Sequence, residues 1–252
     1  MSSAPALRLS VDDRGEPEVF ASLQGEGPHI GRPSVFVRLS GCNLSCSWCD
    51  TPYTWNWVGT AFHHRAERKY ERAEERVRVE LDDLVSHIAG LSPRAMVFTG
   101  GEPMLQQAAL AALLPRLVDR VGAVTVDVET NGTVRPQPAF DALVDRYVVS
   151  PKLESAGMDA ASRLPLAILS VFAADPRAAF KWVVGGQADL DALDRLNGSL
   201  DVPPERMWLM PEADNVTDLE RATPAVAAAA LARGWHFSDR LHLRLYGSGR
   251  GV

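Results

Sequence analysis

Six short runs of strand-forming residues, each closing on glycine, proline, asparagine, serine or aspartate, punctuate the chain. They are Pro33 to Gly41, Ala95 to Pro103, Ala123 to Gly132, Asp145 to Leu153, Ala179 to Gly186 and Arg206 to Asp214. Between them stand helical patterns with apolar residues three and four apart, as in LQQAALAALLPRLVDRV, QADLDALDRLNG and DNVTDLERATPAVAAAALARG. Strand and helix in alternation force right-handed crossovers and a parallel sheet, so the fold class is α/β. Pro115 and Pro224 are expected to kink or restart their helices. A last run, RLHLRLYG, is expected to close the alternation. Periodicity does not choose between a complete barrel, a partial one and an open sheet. In each case ligands belong at the carboxyl ends of the strands, where the polar and glycine-rich residues fall.

With 252 residues the chain is expected to form one folding unit over 1–252, able to bury its own core. A formal charge of −6 gives no reason to expect nucleic acid as a partner. The start, MSSAPALRLSVDDRGEPE, lacks a basic region followed by an apolar one, and no apolar run approaches the length of a membrane span. A soluble, cytoplasmic protein without a membrane partner is therefore expected. The segment 57–80, WVGTAFHHRAERKYERAEERVRVE, breaks the alternation and mixes both signs of charge. It reads as an insertion, partly helical and solvent-exposed. The alanine-rich Ala225 to Ala232 is expected to pack one helix closely on the sheet.

The chain has three cysteines, Cys42, Cys46 and Cys49, all in the loop leaving the first of these strands. Three thiols so close together do not make a disulfide framework, which turns attention to a metal or cluster. Structural zinc takes four protein ligands and would have to recruit His63 or His64. A [4Fe–4S] cluster held by three thiolates instead leaves one iron free for a small molecule. The GGEP at Gly100 to Pro103 reads as a tight turn into a helix, with Pro103 in its first turn and Glu102 near its positive end.

CxxxCxxC with an aromatic, Trp48, before the third cysteine resembles the cluster motif of the radical S-adenosylmethionine superfamily. FASLQGEGPHIGRPSVFVRLSGCNLSCSWCDT, followed in order by TGGEP, ETNG, SPK and FKWVV, resembles the 7-carboxy-7-deazaguanine synthase family from about residue 17 onward. The resemblance implies a partial, modified TIM-like barrel of about six parallel strands with flanking helices. It also implies a [4Fe–4S] cluster, S-adenosyl-L-methionine and Mg²⁺ as cofactors. The implied reaction is ring contraction of 6-carboxy-5,6,7,8-tetrahydropterin to 7-carboxy-7-deazaguanine with loss of ammonia, in 7-deazapurine (queuosine-type) biosynthesis. A 5′-deoxyadenosyl radical would take hydrogen from the carbon bearing the carboxylate, and the cofactor would be regenerated. A homodimer and an electron donor such as flavodoxin or ferredoxin are implied as partners.

Residue by residue, the resemblance assigns the cluster to Cys42, Cys46 and Cys49 and Mg²⁺ to Thr51, with Asp50 as an alternative ligand. Cofactor contacts fall on Ser47 or Trp48 through Asp50, on Gly101, on Ser150, Pro151 and Lys152, and on Met210, Pro211, Glu212 and Ala213. The last four read MPEA where the family pattern is closer to QPMD. The pterin would meet Leu23, Gln24, Gly25, Arg38, Thr99, Glu129, His242 and Val252, with the planar fork of Arg38 on its carboxylate. A glycyl-radical-enzyme activase would share the cluster and GGEP but leave SLQGEG and Arg38 without a purpose.

Overall fold

The computed structural model describes residues 6–252, apart from the side chain at 197. Its centre is a ten-stranded sheet in the order β10-β9-β8-β7-β6-β5-β3-β1-β4, with β2 paired to β3 off that path. The strands are β1 (Ala6–Ser10), β2 (Val19–Leu23), β3 (Pro33–Leu39), β4 (Arg76–Glu80), β5 (Ala95–Gly100), β6 (Thr125–Thr130), β7 (Arg146–Val149), β8 (Ala178–Val184), β9 (Met207–Pro211) and β10 (His236–Phe237). From β3 through β10 each sheet neighbour along the parallel path runs in the same direction. Strands β1, β2 and β4 pair antiparallel at the other end. No pairing joins β10 to β4 among the described residues, so the sheet is a partial, open TIM-like barrel.

Helices α1 (Leu81–Gly90), α2 (Gln107–Val121), α3 (Pro138–Asp141), α4 (Ala160–Arg163), α5 (Leu166–Ala174), α6 (Gln187–Leu200), α7 (Val216–Arg233) and α8 (Leu241–Tyr246) cover and cap the sheet. The stripe Leu110, Leu113, Leu114 and Leu117 of α2 is buried against the strands, at helical spacing. In α7 the alanine-rich turn buries Val226 and Ala230, the close packing expected of small residues. Strand β8 is buried at every position, as both-sided cover requires, yet carries Lys181.

Three local expectations need correction. RLHLRLYG holds α8, and the last strand is the two-residue β10 before it; Leu243 alone of this helix is buried, and one apolar face is all its short packing demands. Pro115 and Pro224 lie inside continuous helices, so neither restarts its helix. The 57–80 segment contains no helix. Its arginines stack on aromatic rings, Arg68 on Tyr70 and Arg72 on Trp57, each 4.6 Å from the ring centroid. Its end, RVRVE, becomes β4 against β1, the period-two pattern that the charges obscure. The chain start contributes β1, and β2 follows it, each paired in the sheet.

Candidate functional site

A cleft of about 700 Å³ opens at the carboxyl ends of the parallel strands. Cys42, Cys46, Trp48, Cys49, Asp50 and Thr51 line it from the loop after β3. Leu23, Gln24, Gly25, Arg38, Thr99, Gly101, Glu129, Ser150, Lys152, Met210, Glu212, Ala213, His242 and Val252 complete the walls. Of the cofactor contacts drawn from sequence, Ser47, Pro151 and Pro211 stand outside this lining, as do the candidate zinc ligands His63 and His64. Residues spread over most of the chain thus converge on one space.

The cysteine loop is held from below by glycines that have no room for a side chain. A Cβ on Gly100, whose φ is +125°, would lie 2.2 Å from the Leu39 carbonyl oxygen. A Cβ on Gly101 would lie 2.1 Å from that of Gly41. The backbone N–H groups of Gly101 and Glu102 instead donate to Leu39 and Gly41, both at 2.8 Å. The fully buried Glu102 accepts from Met104 N–H at 3.0 Å, Asn131 N–H at 2.7 Å and the Thr130 hydroxyl at 2.8 Å. It caps the turn as the sequence suggests, and also ties TGGEP to ETNG. Burial pushes its pKa up, a shift these donors only partly offset.

All three thiols are raised in pKa, chiefly by burial, Cys46 to about 12. Metal binding must therefore displace their protons. The sulfurs nevertheless have donors waiting. Leu44 N–H donates to Cys42 Sγ at 3.4 Å, and Thr51 Oγ1 lies 3.6 Å from Cys49 Sγ. Hydrogen bonds of this kind stabilise thiolates that hold an iron–sulfur cluster.

Of the two histidines a zinc site would recruit, His64 is already engaged. Nε2 of His64 is 2.7 Å from the Cys49 carbonyl and its Nδ1 accepts from Ala66 N–H at 3.2 Å, so both ring nitrogens serve the backbone. Nor do three or more His, Cys, Asp or Glu among the described residues gather closely enough for a single metal ion. A cubane takes its thiolates on separate irons, and three thiols lining one cleft suit that donor set.

At the cleft floor the Glu129 carboxyl group accepts from Gln24 Nε2 at 3.1 Å and Thr99 Oγ1 at 2.7 Å. Arg38 stands beside Thr99 in the paired strands and donates Nε–H to the buried Glu18 at 2.7 Å. The Tyr53 hydroxyl donates to the same carboxylate at 3.1 Å. No described residue takes the terminal nitrogens of Arg38. Lys152 Nζ lies 5.7 Å from the Trp48 ring centroid and donates to Ser150 Oγ at 2.9 Å. His242 packs directly on Gly25, where a Cβ would meet its ring at 2.3 Å.

Sequence reasoning missed a set of buried charges behind this lining. Glu26 pairs with Lys181 and with Arg240, and Arg240 also pairs with Asp50. Burial opposes ionisation of Glu26, but the two cations outweigh it and hold the carboxyl well below its ordinary range. Asp50, half-exposed at the cleft, is lowered too, its partial desolvation being overcome by Arg240. The one available signal was Lys181, a lone charge inside the apolar AFKWVV. Arg65 of the insertion crosses to Glu212 at 2.5 Å and Asp214 at 2.8 Å, so Glu212 is held by an ion pair rather than left to solvent.

The sequence model of the radical SAM superfamily matches residues 36–155, from β3 past Lys152. A curated 7-carboxy-7-deazaguanine synthase of Pyrobaculum aerophilum is 34% identical over 100% of both chains. Another, of Hyperthermus butylicus, is 37% identical over 90% of each. The crystal structure of QueE from Escherichia coli superposes with a TM-score of 0.61 at 28% identity, covering 93% of this chain and 95% of that one. The three-cysteine loop, the glycine-supported TGGEP turn and this likeness along the whole length agree: the chain belongs to the 7-carboxy-7-deazaguanine synthase family of the radical SAM superfamily.

Proposed function

We propose that the chain, acting as one unit over residues 1–252, is a carbon–nitrogen lyase that contracts 6-carboxy-5,6,7,8-tetrahydropterin to 7-carboxy-7-deazaguanine with loss of ammonia, as a cytoplasmic step of 7-deazapurine biosynthesis. The observation that carries this reading is one cleft in which three thiols face Arg38 and the Gln24–Glu129–Thr99 cluster. When bound, the [4Fe–4S] cluster and S-adenosylmethionine supply one-electron chemistry that starts hydrogen removal from the substrate. The chain's own residues bind, orient and exclude water.

In this reading Cys42, Cys46 and Cys49 hold the cluster. Trp48, Cys49, Asp50, Gly101, Ser150, Pro151, Lys152 and Met210 to Ala213 surround the cofactor. Arg38, held by Glu18 through Nε, offers its terminal nitrogens to the pterin carboxylate as a fork. Glu129 accepts hydrogen bonds from the amide and amino edge of the pterin, while Leu23, Gln24, Gly25, Thr99, His242 and Val252 enclose the ring. Thr51 suits a Mg²⁺ ligand because its hydroxyl makes no cap to the turn that it precedes. Asp50 is the weaker candidate, already paired with Arg240. With no acidic cage beside Thr51 among the described residues, the substrate carboxylate and water must fill the Mg²⁺ shell, so metal and substrate bind together. A homodimer and a flavodoxin- or ferredoxin-like reductant complete the proposal.

Anaerobically reconstituted protein, incubated with the carboxypterin, S-adenosylmethionine, Mg²⁺ and reductant, is expected to form the deazaguanine over several turnovers per cofactor. Cys46→Ala is expected to abolish product. Consumption of one S-adenosylmethionine per event without deazaguanine would instead indicate activase chemistry and refute the proposal.

A further inference from the structure

Arg240 is a buried cation with a partner in each of three segments around the cleft. It donates Nε–H to Glu26 at 2.9 Å, in the turn that follows Gln24 and Gly25. Its terminal nitrogens reach the Asp50 carboxylate in the cysteine loop and the Ala213 carbonyl just beyond β9. The neighbouring backbone repeats these ties. Leu241 N–H donates to the Gly25 carbonyl at 2.9 Å, Gly27 N–H to Ser238 Oγ at 2.8 Å, and Ser238 N–H to the Leu209 carbonyl at 2.8 Å. His242, two residues on, packs against Gly25.

The charges facing Arg240 are Glu26 and Asp50, with Lys181 sharing Glu26 from the opposite side and His242 3.9 Å from it. Lys181 alone could neutralise Glu26. A second cation is therefore not required to balance that carboxylate, whereas among the described residues only Arg240 joins it to Asp50. The rigid five-donor fork of arginine suits three simultaneous acceptors in different directions, which an ammonium on a flexible stem does not.

On the proposed reading, Gly25 lies against the pterin, and Asp50 and Ala213 against S-adenosylmethionine. We propose that Arg240 is a positioning residue that couples the two ligands: ordering of the Gln24–Glu26 turn by the pterin sets Asp50 and Ala213 for the cofactor, and the reverse. Linkage requires the effect to be equal in both directions.

The test is equilibrium binding to cluster-loaded protein without reductant, so that nothing turns over. The dissociation constant of S-adenosylmethionine is measured with and without saturating carboxypterin and Mg²⁺, and that of the pterin with and without cofactor. In the wild type each ligand is expected to tighten the other about fivefold or more. In Arg240→Gln each should still bind alone, with the ratio falling close to one. Arg240→Lys keeps the charge but not the fork and should recover only part of the ratio. Asp50→Asn, which leaves the Arg240–Glu26 pair intact, should weaken coupling by itself and serves if Arg240→Gln does not fold. An equal ratio in wild type and variants, or a wild-type ratio of one, overturns the proposal. Failure of the wild type to bind the carboxypterin at all would strike the substrate assignment instead.

Discussion

At the scale of single residues, Arg38 shows how a site can need both charge and shape. Glu18 is buried, and its partners Arg38 and Tyr53 are what make that burial tolerable. Arg38→Ala is expected to destabilise the fold by about 3–5 kcal/mol, the cost of leaving a buried carboxylate without its cation. Arg38→Lys can still reach Glu18 but presents no fork to a second carboxylate. Losing a charge-assisted hydrogen bond costs about 1.5–3 kcal/mol. Arg38→Lys should therefore fold, with a KM for the carboxypterin raised roughly tenfold to a hundredfold by the same figure. Steady-state kinetics beside a thermal melt separates the two roles, and an unchanged KM would remove Arg38 from the substrate site.

At the scale of elements, the parallel strands were legible because each is a compact apolar run bounded by turn residues. The antiparallel ones were not. RVRVE alternates correctly for β4, but it follows a mixed-charge segment whose spacing imitates a helix; stacking of Arg68 and Arg72 on Tyr70 and Trp57 settles that segment as turns. RLHLRLYG has strand-like alternation over a length that suits either state, and its helical form depends on tertiary contacts that no local pattern records. Behind it the tail is pinned by Arg250, whose guanidinium lies 3.6 Å from the Tyr53 ring centroid and 2.6 Å from Glu75. Arg250→Ala should release it. Hydrogen exchange over Gly247 to Val252 is expected to speed up markedly while the core strands keep their protection. Unchanged exchange in the tail would show that Arg250 does not hold it.

At the scale of the whole molecule, the sheet stays open between β10 and β4 among the described residues, and side chains bridge the cleft mouth that strand pairing leaves apart. Arg65 reaches from the insertion to Glu212 and Asp214, and Arg240 from the tail to Asp50. The lining of the cleft was largely readable from short motifs, since those sit where strands end. The ion network behind it was not, because a buried charge is recognised by partners far apart in sequence, such as Glu26, Lys181 and Arg240. In the proposed function both layers would serve a single arrangement, with Cys42, Cys46 and Cys49 holding a cluster that leaves one iron for the cofactor. The most direct check is electron paramagnetic resonance of the anaerobically reconstituted, reduced protein. A [4Fe–4S]⁺ signal that shifts when S-adenosylmethionine is added is the expected result; a signal indifferent to the cofactor, or no cubane signal after iron and sulfide are supplied, would contradict the account.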